Sequence, residues 1–476
     1  MPVTEGSGPV IDRKERMKLP YIEVGARLPE ARVRDFEPTF TVMTPEEAMQ
    51  AAERCIHCPD PAACVEACPL HNDIPSAMLL IEQGDFIGAA EIYSQTSSMP
   101  EVCGNVCPHE ALCQGACVRS KHEEPTITGA LEAFVSRYKR ENAPTKLPVG
   151  EPSGKKVAIV GSGPSGLACA GQLVGQGHSV SIFEAAPAPG GLLLYGIPNF
   201  KLAKDIVEDV VNDLEEAGVA FILNTRIGED KTIDSLLKDG YDAVYIGVGT
   251  GIDATMDVPG AGLPGVYLAT EFLIRANVDP DQLPEGKRGK LEVGSKVAVI
   301  GGGDTASDCL RSALRLGADE VTCLYRRTEA EMPGGKKDRE LAREEGAVYR
   351  FLTQPIRYIA DVDGKVSAVE CLQCELGEPD DSGRRRPIPI EGSNFTVPVD
   401  TVVLALGYWP DTSIGETTPN LETHNWGLIV ASAETGETSQ EGVFAGGDAV
   451  TGPDLVVTAT VAGRQAAQSI TEYLAK

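Results

Sequence analysis

The sequence predicts an α/β fold in which a mainly helical, cysteine-rich region precedes two β-α-β units built on parallel sheets. Three observations carry this. Eight of the 13 cysteines fall between residues 55 and 117, among segments of helical periodicity. "KKVAIVGSGPSGLACAGQLVGQGHSVSIFE", residues 155–184, runs apolar strand, Gly-rich turn, helix and second apolar strand. The same order returns in "SKVAVIGGGDTASDCLRSALRLGADEVTCLYRR" at 295–327, and a repeat of this kind implies two Rossmann-like, nucleotide-binding domains.

Composition bounds what the chain can do. At 476 residues it exceeds one ordinary core, with 42% apolar and 24% charged residues as in globular proteins. The net charge of −28 repels a phosphate backbone, so no nucleic-acid partner is expected. Any anionic ligand must then meet a local basic spot or backbone N–H groups. No run approaches the ~18 apolar residues of a membrane span, and the N-terminus lacks the apolar core of a secretory signal. The expectation is a cytoplasmic protein without a membrane partner. Disulfides are rare in that compartment, so the clustered thiols read as metal ligands. The scattered Cys169, Cys309, Cys323, Cys371 and Cys374 read as small buried hydrophobes.

In chain order, residues 1–150 form the helical region, with helical periodicity in "TPEEAMQAAERC", "PSAMLLIEQGDFIGAAEIYSQT" and "ITGALEAFVSRYKRE". The Pro- and Gly-rich stretch 141–156 is a linker. The first turn, Gly161-Ser-Gly163-Pro-Ser-Gly166, sits between strand and helix, and Glu184 ends the next strand. That context makes it a dinucleotide site: backbone N–H groups approach the pyrophosphate and Glu184 accepts from ribose hydroxyls. Two such units in a redox-type chain suggest one resident flavin and one exchanging nicotinamide, and the first unit is expected to hold FAD. Gly447 and Asp448 in "VFAGGDAV" should meet its ribityl chain. The FAD domain is therefore expected to be discontinuous, 153–290 with 400–476, and to enclose an NADPH domain at 291–399.

The second turn, Gly301-Gly302-Gly303-Asp304-Thr305, ends its following strand in Arg326-Arg327 where the first unit has Glu184. An acidic residue there suits a bare ribose, whereas arginine accommodates a 2′-phosphate. The sequence thus predicts NADPH at the second site.

The thiols form two groups: Cys55, Cys58, Cys64 and Cys68, then Cys103, Cys107, Cys113 and Cys117. Zinc favours paired C-x2-C units, and only Cys55-x2-Cys58 has that form. In bacterial ferredoxin runs, three close cysteines hold one cluster and a fourth, followed by Pro, ligates the other. Cys68-Pro69 matches that crossing ligand, giving two [4Fe–4S] clusters. The cluster of Cys55, Cys58 and Cys64 then lacks a fourth ligand, for which Cys103 and any nearby carboxylate are open.

The cysteine groups, "PEVCGNVCP", "VAIVGSGPSGLACA", "GGLLLYGIPNFKL", "VIGGGDTASDC", "YRRTEAEMPG" and "AGGDAVTGPDLVVTATVAGRQAA" together resemble the small subunit of bacterial NADPH-dependent glutamate synthase, from about residue 35 to 476. The same module is similar to the N-terminal part of dihydropyrimidine dehydrogenase and the large subunit of NADPH:ferredoxin oxidoreductases. The resemblance implies that Glu132 joins Cys55, Cys58 and Cys64, while Cys68, Cys107, Cys113 and Cys117 hold the other cluster. It places Gly191, Leu192, Gly196, Ile197 and Lys201 in the loop beside the flavin. Pro164, Ser165, Gly249, Gly407 and Thr458 complete the candidate cofactor-binding positions.

The expected reaction is hydride transfer from NADPH to FAD, with electrons leaving through the clusters to a large glutamate synthase subunit. No Ser–His–Asp or Cys–His set is visible, so no catalytic side chain is assigned. The alternatives are an electron-input subunit of an NAD(P)H:ferredoxin oxidoreductase or other dehydrogenase complex, and a non-catalytic, zinc-containing scaffold.

Overall fold

The computed structural model describes residues 11–289, 291–380 and 383–476. The chain divides into two compact units. The first takes Phe40–Lys146 with the chain up to Ala26 and Leu455–Val461; the second takes Arg27–Thr39, Leu147–Asp454 and Ala462–Lys476.

The first unit is helical. Pro45–Glu53 opens on a capping box: Glu47 N–H donates to Thr44 Oγ1 at 3.2 Å, and Thr44 N–H to Glu47 Oε2 at 2.8 Å. Asp73 and Asp85 cap Ile74–Glu82 and Phe86–Thr96 by a single bond each, accepting the otherwise unpaired N–H of Ser76 and of Gly88. Thr128–Asn142 buries Thr128, Leu131, Glu132 and Val135, the i, i+3, i+4, i+7 stripe of a core-facing helix. Small side chains at Ala48, Ala51, Ala52 and Ala77 leave room for Met78, Ile81, Tyr93 and Leu131 in the core. A carboxylate within that stripe is the feature that needs a chemical reason.

The second unit holds two five-stranded parallel sheets. The first runs Val443–Ala445, Ala243–Ile246, Lys156–Val160, Ser179–Phe183, Ala220–Ile222 in spatial order. Its central strands are buried almost end to end, as strands covered on both faces must be. The second runs Val266–Leu268, Thr401–Leu404, Lys296–Ile300, Glu320–Leu324, Val348–Arg350. An antiparallel sheet of Thr353–Ala360, Val366–Pro379, Arg385–Pro389 and Phe395–Pro398 follows the last of these.

Strand membership corrects the boundaries read from sequence. The sequence places residues 400–407 in the first nucleotide domain and starts the second at 291. Thr401–Leu404 instead lies inside the second sheet, paired with Lys296–Ile300 and with Val266–Leu268. Apolar periodicity marks a strand but says nothing about which of two parallel sheets receives it.

A buried ion cluster ties helices of the second unit. The Glu345 carboxylate, fully buried, accepts from Arg311 Nε at 3.0 Å and Nη2 at 2.8 Å, and from Arg315 Nη1 at 2.6 Å. Burial works against its ionisation, but the Arg311 and Arg315 bonds outweigh it and hold the group below its ordinary value. Glu345→Ala strands buried guanidinium groups and should cost about 3–5 kcal/mol, read as a fall in Tm. A depressed carboxylate stabilises above its unfolded pKa and loses that contribution as pH falls through the folded one. The wild type should therefore lose Tm on acidification below about pH 4.3, and the variant, lacking the contribution, should lose less there.

Candidate functional site

At the first Gly-rich turn two of the three glycines have a steric reason. Gly161 has φ +97°, and a Cβ on it would meet Gly247 O at 2.7 Å. A Cβ on Gly166 would fall 2.0 Å from Gly161 O. Gly163, by contrast, caps helix Pro164–Gly175 and faces open space. A helix N-terminus with backbone exposed and no side chain in the way fits a pyrophosphate. Glu184 lies at the end of Ser179–Phe183, its carboxylate accepting from Ser162 N–H at 3.0 Å, Ser162 Oγ at 2.6 Å and Ala186 N–H at 2.8 Å. Ser162 Oγ in turn accepts from Gly190 N–H at 3.0 Å, which brings the Gly190–Gly191 loop against the turn. The Ser165 hydroxyl is bound to the Tyr245 hydroxyl and is thereby used inside the fold.

Gly191 leads into the short helix Leu192–Tyr195, Leu192 is exposed, and Gly196 ends the helix. Lys201 follows in the same loop, its N–H donating to Pro198 O at 2.9 Å. Its ammonium stands 3.1 Å from Asp308 Oδ1 and 3.1 Å from Asp338 Oδ2, on helices Asp304–Arg315 and Lys336–Glu344. Burial opposes its charge, and the two carboxylates outweigh burial. Lys204, which sequence alone does not single out, also holds this loop: its Nζ donates to Leu193 O at 2.9 Å and to Ile197 O. Burial pulls Lys204 down to about 7. Asp448 follows Gly447 (φ +65°) and starts Asp448–Thr451; burial pushes its carboxyl up to about 7, with the Asp454 N–H opposing. Gly249 and Gly407 both have positive φ and open space where a Cβ would be. They follow the carboxyl ends of Ala243–Ile246 and Thr401–Leu404, the end at which open α/β sheets bind ligands. Thr458 belongs to the first unit and its hydroxyl donates to Leu455 O at 2.8 Å.

The second turn repeats the geometry of the first. A Cβ on Gly301 would fall 2.0 Å from Ala405 O, while Gly303 caps Asp304–Arg315 and is open. Asp304 Oδ1 accepts from Gly335 N–H at 2.8 Å, and the Thr305 hydroxyl lies 3.5 Å from the Tyr408 hydroxyl. The arginine pair separates. Arg326 is exposed. Arg327 is buried, its Nε donating to Arg385 O at 2.7 Å and its Nη2 paired with Asp380 at 2.6 Å. Both follow the strand Glu320–Leu324 in a bend, where Arg327 is already committed to Asp380 and Arg385 O and Arg326 is left exposed.

In the first unit the thiols sort by neighbour. Burial pushes Cys64 up to about 12, with Cys55, Cys117, Cys113 and Cys58 adding. Burial likewise takes Cys55 up to about 12, with Cys117 and Cys58 adding while His57 N–H and Arg16 oppose. Cys58 is raised by burial and by Cys117, against Arg13. Cys55, Cys58, Cys64 and Cys117 thus share one neighbourhood. The other holds Cys68 and Cys113, both raised by burial with Glu132 adding, and Cys113 reaches about 12. Cys107 joins them: its hydrogen bond with Cys103 raises it and lowers Cys103.

Glu132 is buried, and its Oε1 accepts from Asn72 Nδ2 at 3.3 Å. Burial holds its carboxyl well above the ordinary range, with Cys103 adding and Asn72 opposing. Cys113 Sγ lies 3.0 Å from Thr128 Oγ1. This sorting differs from the expectation that joined Glu132 to Cys55, Cys58 and Cys64, and Cys117 to Cys68. The helix Thr128–Asn142 delivers residue 132 beside Cys68, Cys107 and Cys113, while Cys117 returns to the first group. Asn72, Thr128 and Tyr93 were missed from sequence. Asn72, set between His71 and Asp73 in a polar turn, carries no distinguishing signal in the sequence.

The donor set fits iron–sulfur clusters. Buried thiols that raise one another need a cationic centre when they ionise. The buried Tyr93 hydroxyl has no hydrogen-bond partner and lies among Glu132, Cys113, Cys64 and Cys68, where cluster sulfur would accept it. Among the described residues no three His, Cys, Asp or Glu side chains converge as a single ion requires. Also among the described residues, no helix is long and apolar enough to cross a membrane.

Two dinucleotide turns on parallel sheets and a thiol-lined helical unit define a pyridine-nucleotide flavoprotein with an iron–sulfur domain. Residues 32–144 match the family model described as dihydropyrimidine dehydrogenase domain II, 4Fe-4S cluster, and 155–463 match pyridine nucleotide-disulphide oxidoreductase. The glutamate synthase [NADPH] small chain of Halomonas elongata is 40% identical over 95% of this chain and 98% of its own. The putative oxidoreductase AegA of Escherichia coli is 43% identical over 94% of this chain and 68% of its own. Mycobacterium tuberculosis FprA, solved with NADPH, shares the fold at TM-score 0.56 and 23% identity over 68% of this chain and 85% of its own. The chain belongs to the family of the glutamate synthase small chains, and is an NADPH-dependent FAD and iron–sulfur oxidoreductase of that type.

Proposed function

We propose that the chain is the electron-input subunit of a glutamate synthase, feeding a large subunit that makes glutamate from glutamine and 2-oxoglutarate. The observation that carries it is the 40% identity to a glutamate synthase small chain over nearly the full length of both. When bound, the nucleotides supply hydride transfer and two [4Fe–4S] clusters supply one-electron relay.

The chain's own residues bind and orient. Gly161, Gly163 and Gly166 present backbone N–H groups to the FAD pyrophosphate, and Glu184 takes the ribose. Gly301 and Gly303 do the same for NADPH, with Arg326 on its 2′-phosphate. Arg327 holds the strand end through Asp380. Cys55, Cys58, Cys64 and Cys117 hold one cluster; Cys68, Cys107, Cys113 and Glu132 hold the other. Cys103 is left as the hydrogen-bonded neighbour of Cys107.

Purification from the native host tests the reading. A large companion chain and NADPH- and glutamine-dependent conversion of 2-oxoglutarate are expected; absence of both would reject it. A second reading has support of its own, since identity to a putative oxidoreductase, 43%, is as high as to the glutamate synthase chains. An electron-input subunit serving ferredoxin or another dehydrogenase would reduce its acceptor with NADPH and ignore glutamine.

A further inference from the structure

We propose that four arginines set the redox order of the two clusters. Arg13, Arg16, Arg54 and Arg119 hold the cluster of Cys55, Cys58, Cys64 and Cys117 at the higher potential, and the carboxylate of Glu132 holds its companion at the lower. The inference rests on the two-cluster reading above and adds to it which cluster fills first.

The guanidiniums wrap the loop that carries the first thiols. Arg16 Nη1 donates to Glu53 O at 2.9 Å and Cys55 O at 3.0 Å. Arg13 donates to Ile56 O at 3.1 Å and His57 O at 2.8 Å. Arg119, fully buried, donates to Arg16 O at 2.7 Å and Arg54 O at 3.0 Å. Arg54, also buried, donates to Leu19 O and Glu124 O, each at 2.6 Å. Three of the four also act through space at ligand thiols: Arg16 and Arg13 oppose the burial that raises Cys55 and Cys58, and Cys117 acts on Arg54.

Acid partners offset part of this charge. Glu82 lies 2.6 Å from Arg16, and Glu123 lies 2.8 Å from Arg119 and 3.8 Å from Arg54. Glu53 also acts on Arg16, and four cations against these three carboxylates still leave the neighbourhood positive. Around the second group the leading influences are the reverse: burial, neighbouring thiols and Glu132, which receives only a neutral amide from Asn72.

Reducing a cluster adds one negative charge to it. Fixed cations nearby stabilise that state, while a carboxylate ligand opposes it, so net charge and hydrogen bonding move the potential. Burial of Arg54 and Arg119 keeps their fields weakly screened. Of the electrons that NADPH supplies through the flavin, the first to remain on the clusters should therefore rest on the arginine-flanked one.

The test is a redox titration of the intact holoprotein followed by electron paramagnetic resonance. Arg16→Gln should move one midpoint to more negative values and leave the other, and Arg16→Lys, which keeps the charge, should restore most of the shift. Glu132→Gln should move the other midpoint upward and narrow the gap. If Arg16→Gln does not take up iron, Glu132→Gln decides alone, since a gap that is unchanged or wider overturns the proposal. A lysine variant shifted as far as the glutamine one, or midpoints that move together, would also overturn it while two clusters stand. Iron for a single cluster would instead overturn the two-cluster reading beneath it.

Discussion

Cys117→Ser is expected to remove the same cluster that Cys58→Ser removes, and to spare the one that Cys68→Ser removes. The expectation comes from neighbourhood rather than order in the chain. Cys117 bears on Cys55, Cys58 and Cys64, whereas Cys68 shares Glu132 with Cys113 and Cys107. Serine is a hard, weakly acidic donor and a poor substitute for thiolate. Iron per chain should fall by about half in each variant, on the single-cluster share of a two-cluster protein. Cys103→Ser should keep both clusters. Paired spectra check the partition: one signal lost in common by the Cys58 and Cys117 variants, the other lost with Cys68. Loss of the Cys68 signal on replacing Cys117 would restore the arrangement expected from sequence.

The second large effect concerns the nucleotide. Arg326→Ala should raise the KM for NADPH by about 10–100-fold and leave that for NADH nearly unchanged, the usual worth of a charge-assisted bond to phosphate. Arg327→Ala should act differently, because that side chain is buried against Asp380 and Arg385 O. Its removal should lower Tm with a smaller change in the NADPH:NADH ratio. Steady-state rates with both nucleotides, alongside melting curves, separate the two. Equal use of NADH by the wild type would contradict the assignment of Arg326.

Much of this was legible in the sequence because local chemistry dictates it. A Gly-rich turn between an apolar strand and a helix leaves few other arrangements, and Gly161, Gly166 and Gly301 indeed sit where a Cβ would strike backbone. The five scattered cysteines are buried, as their apolar settings required. What failed was long-range. Nothing local tells Thr401–Leu404 that its partners are Lys296–Ile300 and Val266–Leu268. Nor does spacing reveal which thiols the helix Thr128–Asn142 will face. Lys201 and Lys204 are three residues apart and similar in sequence, yet one meets Asp308 and Asp338 and the other two carbonyl oxygens. Their division follows from where the neighbouring domain's helices lie. Arginine's role around Cys55 was hidden for the same reason, since Arg13, Arg16 and Arg119 come from distant segments.

The proposed electron path requires one chain to unite a flavin site with two iron–sulfur clusters. Metal and flavin analysis of the anaerobically purified protein addresses it most directly. One FAD and the iron and sulfide of two [4Fe–4S] clusters per chain are expected, without stoichiometric zinc. Zinc in place of iron, with no flavin, would contradict it.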